Sequence, residues 1–477
     1  MLHRLRAGTL LIRDFISNTN AFTQLSACRL YIRCWSVNQS ATKIRSRVTC
    51  PHCWHVFPPE ETLWVSSHPA LNGDARLGTE RQRRFLPTRF DPSGNALDSH
   101  GSVCSELACP KCHLTIPRAM FEMRSLFYSI LGSPGSGKSH LIATTTWRMR
   151  QTLGKDFQLT FSDADPESNR LLNQSENRLF FNEFPDEFTS LPKTEKEGEL
   201  YDPVRFGDQT FWYPRPFVFS VQPLPSHPKG HNVAELSRAI CVYDNAGEHF
   251  LPGGRSSISP ATQHLTVSSG LIFLFDPTQH VRFREACLGK TNDPQIATAG
   301  MSYRQDQVLL EAANRIRTQA GLTQNEKYTR PIVVAMTKLD AWKMLLDSSF
   351  ERRAAAFGDV LVHRAGGAGS SGEITLNHRR ILQVSNDIRQ LMLMYAPEFV
   401  NAAEGFAENV TYVPVSALGH SPTLERETGK LGVRPSQISP QWAELPLLYL
   451  LSLTSGGLIP RPPERLRDAN QSQVRLP

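Results

Sequence analysis

The decapeptide LGSPGSGKSH at residues 131–140 restricts the fold more than any other stretch of this chain. It follows an apolar run, LFYSI (Leu126–Ile130), that reads as a short buried strand. It precedes HLIATTTWRMRQTL, whose apolar residues recur at helical spacing. Strand, glycine loop and helix is the context of a phosphate-binding loop, and Gly132-x4-Gly137-Lys138-Ser139 fits G-x-x-x-x-G-K-[ST] without a mismatch. Ser133, Pro134, Gly135 and Ser136 form the turn, and His140 follows it into the helix. Gly135 and Gly137 carry no Cβ, so successive N–H groups can curl around a phosphate. Lys138 is expected to reach the β- and γ-phosphates and the Ser139 hydroxyl to bind Mg2+, with the helix N-terminus adding partial positive charge. The expected architecture is α/β: a mostly parallel sheet with helices on both faces, preceded by a small cysteine module.

Charge narrows the range of ligands. The formal net charge is +7, but residues 1–49 carry eight Lys or Arg against the single acid Asp14, so the rest of the chain is balanced. That leaves a basic arm and no basic domain. The charge pattern argues against nucleic acid as a ligand of the main body and leaves the cysteine module as the one place for it. The arm has three readings: a transit peptide, an anion-binding tail, or leader translated from an upstream start. No stretch approaches the ~18 apolar residues of a membrane helix. The longest candidate, LPLLYLLSL (Leu445–Leu453), reads as a packed amphipathic helix, and no membrane partner is expected.

The nine cysteines are an odd number without a clear secretory signal, which argues against a disulfide framework and for a reducing, cytoplasmic compartment. CPHC (Cys50, Cys53) and CPKC (Cys109, Cys112) are two C-x-x-C turns, and together they offer the tetrahedral four-thiolate set of structural Zn2+. The 55 residues between the pairs far exceed the usual gap of a compact ribbon and are read as an insertion across its tip. His52, His55, His113 and Cys104 are alternative ligands nearby. No ligand position is left open, so the metal is expected to be structural.

Further motifs follow the phosphate loop. AICVYDNAGEHF (Ala239–Phe250) reads as a strand ending at Asp244, with Gly247 three residues on. GLIFLFDP (Gly270–Pro277) has no polar member until Asp276, as in a strand buried on both faces, and Asp276 is read as a cap on its end. RPIVVAMTKLD (Arg330–Asp340) is a buried strand ending in Thr337-Lys338-Leu339-Asp340, and VTYVPVSALG (Val410–Gly419) leads into Ser416-Ala417-Leu418. A carboxylate at Asp340 suits guanine, because it accepts from both N1–H and N2–H2, a donor pair that adenine lacks.

Each motif ends an apolar strand, where open α/β sheets bind ligands. As an ordered set they resemble the motifs of translation-factor and Ras-like P-loop GTPases over roughly residues 125–455. The resemblance implies that Asp244 holds Mg2+ through water and that the Gly247 N–H senses the γ-phosphate. It further implies that Lys338 covers the purine face and that the Ala417 N–H bonds guanine O6. Within that class, the cysteine module, the DNAGE sequence and the long segments between motifs resemble the prokaryotic double-GTPase families, switch GTPases often encoded beside conflict-system modules. Only one phosphate loop is present, so a second G domain would come from another subunit.

The pattern departs from a minimal domain in two places. First, 105 residues separate Lys138 from Asp244. A switch threonine for Mg2+ should lie among them, with Thr194 the choice and Thr189 and Thr210 the alternatives. Second, Glu248 stands where Ras-like GTPases have a water-orienting glutamine, and His249 follows; these two join Lys138 as catalytic candidates. Arg255 is a candidate internal arginine finger; an arginine finger is worth ~10³–10⁵ in rate. The expected organisation is a basic arm (1–47), a zinc-ribbon-like module (48–120), a G domain (121–458) and a disordered tail (459–477). The expected function is a regulatory switch that binds GTP, hydrolyses it slowly with Mg2+ and is read by a protein effector or an activating partner, such as another G domain. The rival readings are a P-loop ATPase or kinase, and a non-hydrolysing zinc-dependent adaptor.

Overall fold

A computed structural model describes residues 44–191, 200–244, 262–297, 304–346, 360–363, 374–425, 429 and 431–460. Its centre is a seven-stranded sheet. In chain order the strands are β1 (Arg124–Gly132), β2 (Leu159–Asp163), β3 (Phe217–Pro223), β4 (Arg238–Asp244), β5 (Gly270–Phe275), β6 (Ile332–Met336) and β7 (Val410–Pro414). They lie side by side as β2-β3-β4-β1-β5-β6-β7. Only β3 runs against the others; β4, β1, β5, β6 and β7 pair in parallel. The strand order therefore reverses at β1, and the crevice beyond its C-terminal end is the place where such sheets bind ligands.

The strand sequences match these positions. Every residue of β4, β5 and β6 is buried, as in strands covered on both faces, whereas β2 alternates buried and exposed at the sheet edge. The long segment between Lys138 and Asp244 supplies β2 and β3, a helix (α2, Arg170–Phe180) and a hairpin of Tyr201–Phe206 with Gln209–Pro214. The other long helices are α1 (Lys138–Phe157), α3 (Gln305–Ala320), α4 (His378–Tyr395), α5 (Pro397–Phe406) and α6 (Leu445–Thr454). Helix α4 buries Ile381, Val384, Ile388 and Met392, one face of an amphipathic helix. For LPLLYLLSL the amphipathic reading is corrected: α6 is buried from Leu445 to Ser452 and packs against β5, β6 and α1, so it has no polar face. Among the described residues no helix is long and apolar enough to cross a membrane.

The cysteine module begins with two hairpins, Val48–Thr49 with Val56–Phe57 and Leu107–Ala108 with Thr115–Ile116, one around each Cys pair. From the long insertion, Leu63–Val65 and Arg84–Phe85 extend the second hairpin into a four-stranded sheet. Side chains alternate along β1 and β4. Leu126, Tyr128, Ile130, Ile240 and Val242 enter the main core with α1 and α6. Phe127, Ala239, Cys241 and Tyr243 enter a second core with the four cysteines, Trp54 and Phe57. The module thus covers part of one sheet face where a helix would otherwise pack, and residues from Ile44 onward form one compact unit.

Trp54 is the largest side chain the module sends to that face, and its ring packs against Tyr213, Tyr243 and His264. Trp54→Ala is expected to destabilise the full chain by about 3–5 kcal/mol in urea unfolding. The half-buried Trp64 of the insertion, truncated in the same way, should cost clearly less.

Candidate nucleotide site and metal centre

The loop after β1 is shaped by its glycines at two points. A Cβ on Gly132 would lie 3.0 Å from the Leu274 carbonyl oxygen and 2.8 Å from Ser136 Oγ, so β1 and β5 could not approach as they do. Gly137, at φ 91°, is the left-handed residue from which α1 starts. Lys138 Nζ donates to the carbonyls of Gly132 and Ser133, each at 3.0 Å, and arches back over the loop.

Neighbouring loops hold this one in place. Gln279, just beyond β5, accepts from Ser133 Oγ at 2.6 Å and donates through Nε2 to the Pro134 carbonyl at 2.8 Å. The Thr337 hydroxyl lies 3.2 Å from the Ser136 carbonyl, and its N–H donates to Phe275 O at 2.8 Å. Lys338, in the left-handed region at φ 55°, donates to Asp276 Oδ2 (2.5 Å), Gln295 Oε1 (2.7 Å), Gly135 O (3.2 Å) and Thr278 Oγ1 (3.2 Å). Asp276 does cap its strand, accepting from Thr278 N at 2.9 Å, and it is also the ion-pair partner of Lys338. The sequence reading missed that second role, and it missed Gln279 and Gln295. No motif announces them: they lie on loops whose approach depends on the sheet order.

Asp340 accepts a short hydrogen bond from Ser416 Oγ, which in turn accepts from Gly419 N at 2.7 Å. A Cβ on Gly419 would fall 1.8 Å from Ser439 O, so only glycine fits this turn. The loop after β7 is also fastened to α1, because Thr144 Oγ1 donates to Ala417 O at 3.2 Å. Burial pushes the Asp340 carboxyl above its ordinary value; the Ser416 bond opposes that push, and the charge of Asp293 adds to it. His140 is pushed down to about 4 by burial, with the Lys338 charge contributing.

These elements enclose a cavity of about 520 Å³, within the usual range for small-molecule sites. Its lining includes every residue from Pro134 to His140, then Thr337, Lys338 and Asp340, then Ser416, Ala417 and Leu418. Gly132 and Ser133 lie at the loop's root, outside the lining. His420, Leu191 and Val433 complete the far wall. Asp244 ends β4 and pairs in register with Ile130, two residues before Gly132, which puts it on the same edge of the sheet. Thr189 pairs with Val433 through two backbone hydrogen bonds, and Thr210 is exposed on the Gln209–Pro214 strand. Thr194, Gly247, Glu248, His249 and Arg255 lie outside the described residues.

The four predicted cysteines converge. Their sulfurs all lie within 4.8 Å of one another, with Cys50–Cys112 at 3.7 Å and Cys53–Cys109 at 3.6 Å. A tetrahedral ion with Zn–S bonds of about 2.3 Å sets sulfurs about 3.8 Å apart, so the set fits Zn2+. The two turns repeat one geometry: Trp54 and His113, each next after a cysteine, are left-handed at φ 56° and 65°. Their N–H groups donate to Cys50 O and Cys109 O. His52 Nε2 contacts Thr115 O at 3.1 Å, His113 Nδ1 contacts Asp74 at 2.9 Å, and Cys104 lies beside Ser67. None of these three belongs to the sulfur cluster.

The fold and site therefore define an α/β P-loop protein with a four-cysteine module. No protein-family model matches the chain, and no curated protein matches it. Among solved structures it is similar to Era in complex with MgGDPNP and a fragment of 16S ribosomal RNA, at 13% identity and a TM-score of 0.22. That match covers 63% of this chain and 53% of the other. It is also similar to the bacterial selenocysteine-specific elongation factor EF-Sec, at 14% identity and a TM-score of 0.21, covering 69% of this chain and 29% of that one. The chain thus spans about half of the first and under a third of the second. Superposition this loose leaves strand order and site residues to carry the functional reading.

The Asp340 carboxylate gives this site a pH dependence. A raised pKa means protonation sets in, as pH falls, above the 3.8 of an ordinary aspartate. Protonation removes one of the acceptors that this carboxylate offers to the cavity. The affinity of any ligand that donates to this carboxylate, measured by calorimetry, should therefore begin to fall at a pH above that value, and Asp340→Asn should lose this acid limb.

Proposed function

We propose that this protein is a guanine-nucleotide switch that binds Mg·GTP in the cavity at the end of β1 and hydrolyses it slowly. The observation that carries this reading is the position of Asp340: an aspartate on the wall of the cavity that the phosphate loop also lines, braced by Ser416. In this reading the loop N–H groups and Lys138 hold the phosphates. Lys338 lays its stem on the purine, and Asp340 accepts from N1–H and the 2-amino group. The ion pair with Asp276 constrains where the Lys338 stem can lie.

Magnesium would be held by Ser139 Oγ, by Asp244 through water and by Thr194 in the triphosphate state, and it would neutralise charge building on the phosphates. Ser139 lines the cavity beside Lys138, which suits that role. Water, oriented by Glu248 or His249, attacks the γ-phosphorus in line as its bond to the β–γ bridging oxygen breaks, giving GDP and inorganic phosphate, and an activating partner supplies further positive charge. The γ-phosphate orders the segments around Thr194 and Gly247, giving an effector two states to distinguish. The pairing of a four-thiolate module with a single phosphate loop supports kinship with the double-GTPase families, and with it a signalling or conflict role in which the partner is a second G domain.

The test is a binding titration with GTP, XTP and ATP on the wild type and on Asp340→Asn. The reading predicts that the wild type prefers GTP and that the variant turns to XTP, whose 2-oxo group accepts the amide N–H. A GTP-to-ATP preference that is unchanged in the variant would remove Asp340 from base recognition.

A further inference from the structure

The Cys50–Cys53 turn reaches the nucleotide end of the sheet through one buried phenol. Tyr243 is fully buried on β4, immediately before Asp244. Trp54 Nε1 donates to its hydroxyl at 2.9 Å, and the hydroxyl donates to the Pro51 carbonyl at 2.6 Å. An indole N–H can only donate and a carbonyl can only accept, so the direction of both bonds is fixed. Both partners belong to the metal knuckle: Pro51 lies between the two cysteines and Trp54 follows the second. The Tyr243 ring also stacks on His264, with centroids 4.6 Å apart, and His264 Nδ1 lies 2.6 Å from Ser129 Oγ in β1. The same network thus grips both strands that deliver the site, β1 to the phosphate loop and β4 to Asp244.

The second knuckle provides an internal contrast. Its equivalent of Trp54 is His113, which turns to Asp74 within the module and makes no such bond to the sheet. A closed four-thiolate site would have been built equally well with two such inward-turned residues. The Trp54–Tyr243–Pro51 chain therefore does more than the metal site requires.

We propose that Tyr243 is a positioning residue for Asp244, and that it ties metal occupancy of the cysteine knuckle to magnesium-dependent nucleotide binding. The proposal rests on the reading of Asp244 as a magnesium ligand. With metal bound, the Cys50–Trp54 turn has one shape, and Pro51 O and Trp54 Nε1 pin the phenol, hence the strand end that carries Asp244. When metal leaves, the turn loses that constraint, and Asp244 loses its fixed distance from Ser139. Binding linkage is reciprocal, so Mg·nucleotide must tighten the hold on zinc by the factor by which zinc tightens Mg·nucleotide.

Tyr243→Phe in the full chain keeps the ring and its stacking and removes both hydrogen bonds. Affinity for GDP and for a non-hydrolysable GTP analogue is measured with Mg2+ and with EDTA, and zinc transfer to a chromogenic chelator is timed with and without Mg·nucleotide. The expected result is a loss of about fivefold or more with Mg2+ and no change in EDTA. Mg·nucleotide should slow zinc transfer in the wild type and leave it unchanged in the variant. Equal losses with and without Mg2+, no loss at all, or wild-type zinc transfer indifferent to nucleotide would each overturn the proposal. Asp244→Asn is the separate control: if it keeps the full Mg2+-dependent gain, the magnesium assignment is wrong and the coupling falls for that reason. Thermal melts of both variants verify that they are folded.

Discussion

One ammonium group holds the crevice together. Lys338 joins the loop after β6 to the loop after β5 through Asp276, and to the phosphate loop through the Gly135 carbonyl. Asp276 is wholly buried and paired with Lys338; removing one member of such a pair costs about 3–5 kcal/mol because the other is left uncompensated. The left-handed backbone at Lys338 is sustained by the same contacts. Thr337 on Ser136 and Gln279 on Pro134 add neutral hydrogen bonds between the same loops. The phosphate loop is thereby shaped from outside as well as by its own glycines.

The second constraint comes from the far side of the sheet. A parallel sheet needs both faces covered, and here the cysteine module supplies part of one cover. This makes the Cys50–Cys53 turn a component of the sheet's core rather than an appendage. Trp54 and Tyr243 show how closely the two are joined: an indole next to one of the four clustered cysteines bonds a phenol one residue from the end of β4.

Much of this was legible in the sequence because local chemistry dictated it. The phosphate loop, the uniformly apolar strands ending at Asp244, Asp276, Thr337 and Val415, and the two Cys-x-x-Cys turns announce themselves through spacing and composition. The pattern failed where only tertiary packing decides. Helix α6 looked amphipathic by length, yet every residue from Leu445 to Ser452 is buried. Asp276 looked like a simple cap, because its ion-pair partner lies 62 residues away. Gln279 and Gln295 carry no motif, and their contacts exist only because β5 lies between β1 and β6. The extra edge strand β2 explains part of the long spacing before Asp244; FQLTFSDAD reads as a strand in the sequence, but its place at the sheet edge beside β3 does not.

The central claim is that the pocket is built for guanine nucleotide, and the most direct measurement is competition on the wild-type full chain. A fluorescent GDP bound in the presence of Mg2+ is displaced by graded GTP, GDP, ATP and ADP. The account predicts displacement by GTP and GDP at concentrations at least a hundredfold below those of the adenine nucleotides, about 3 kcal/mol of discrimination from two donors that guanine offers the Asp340 carboxylate and adenine lacks. Equal displacement by ATP and GTP would contradict it, leaving a phosphate-binding fold whose base pocket does not read guanine.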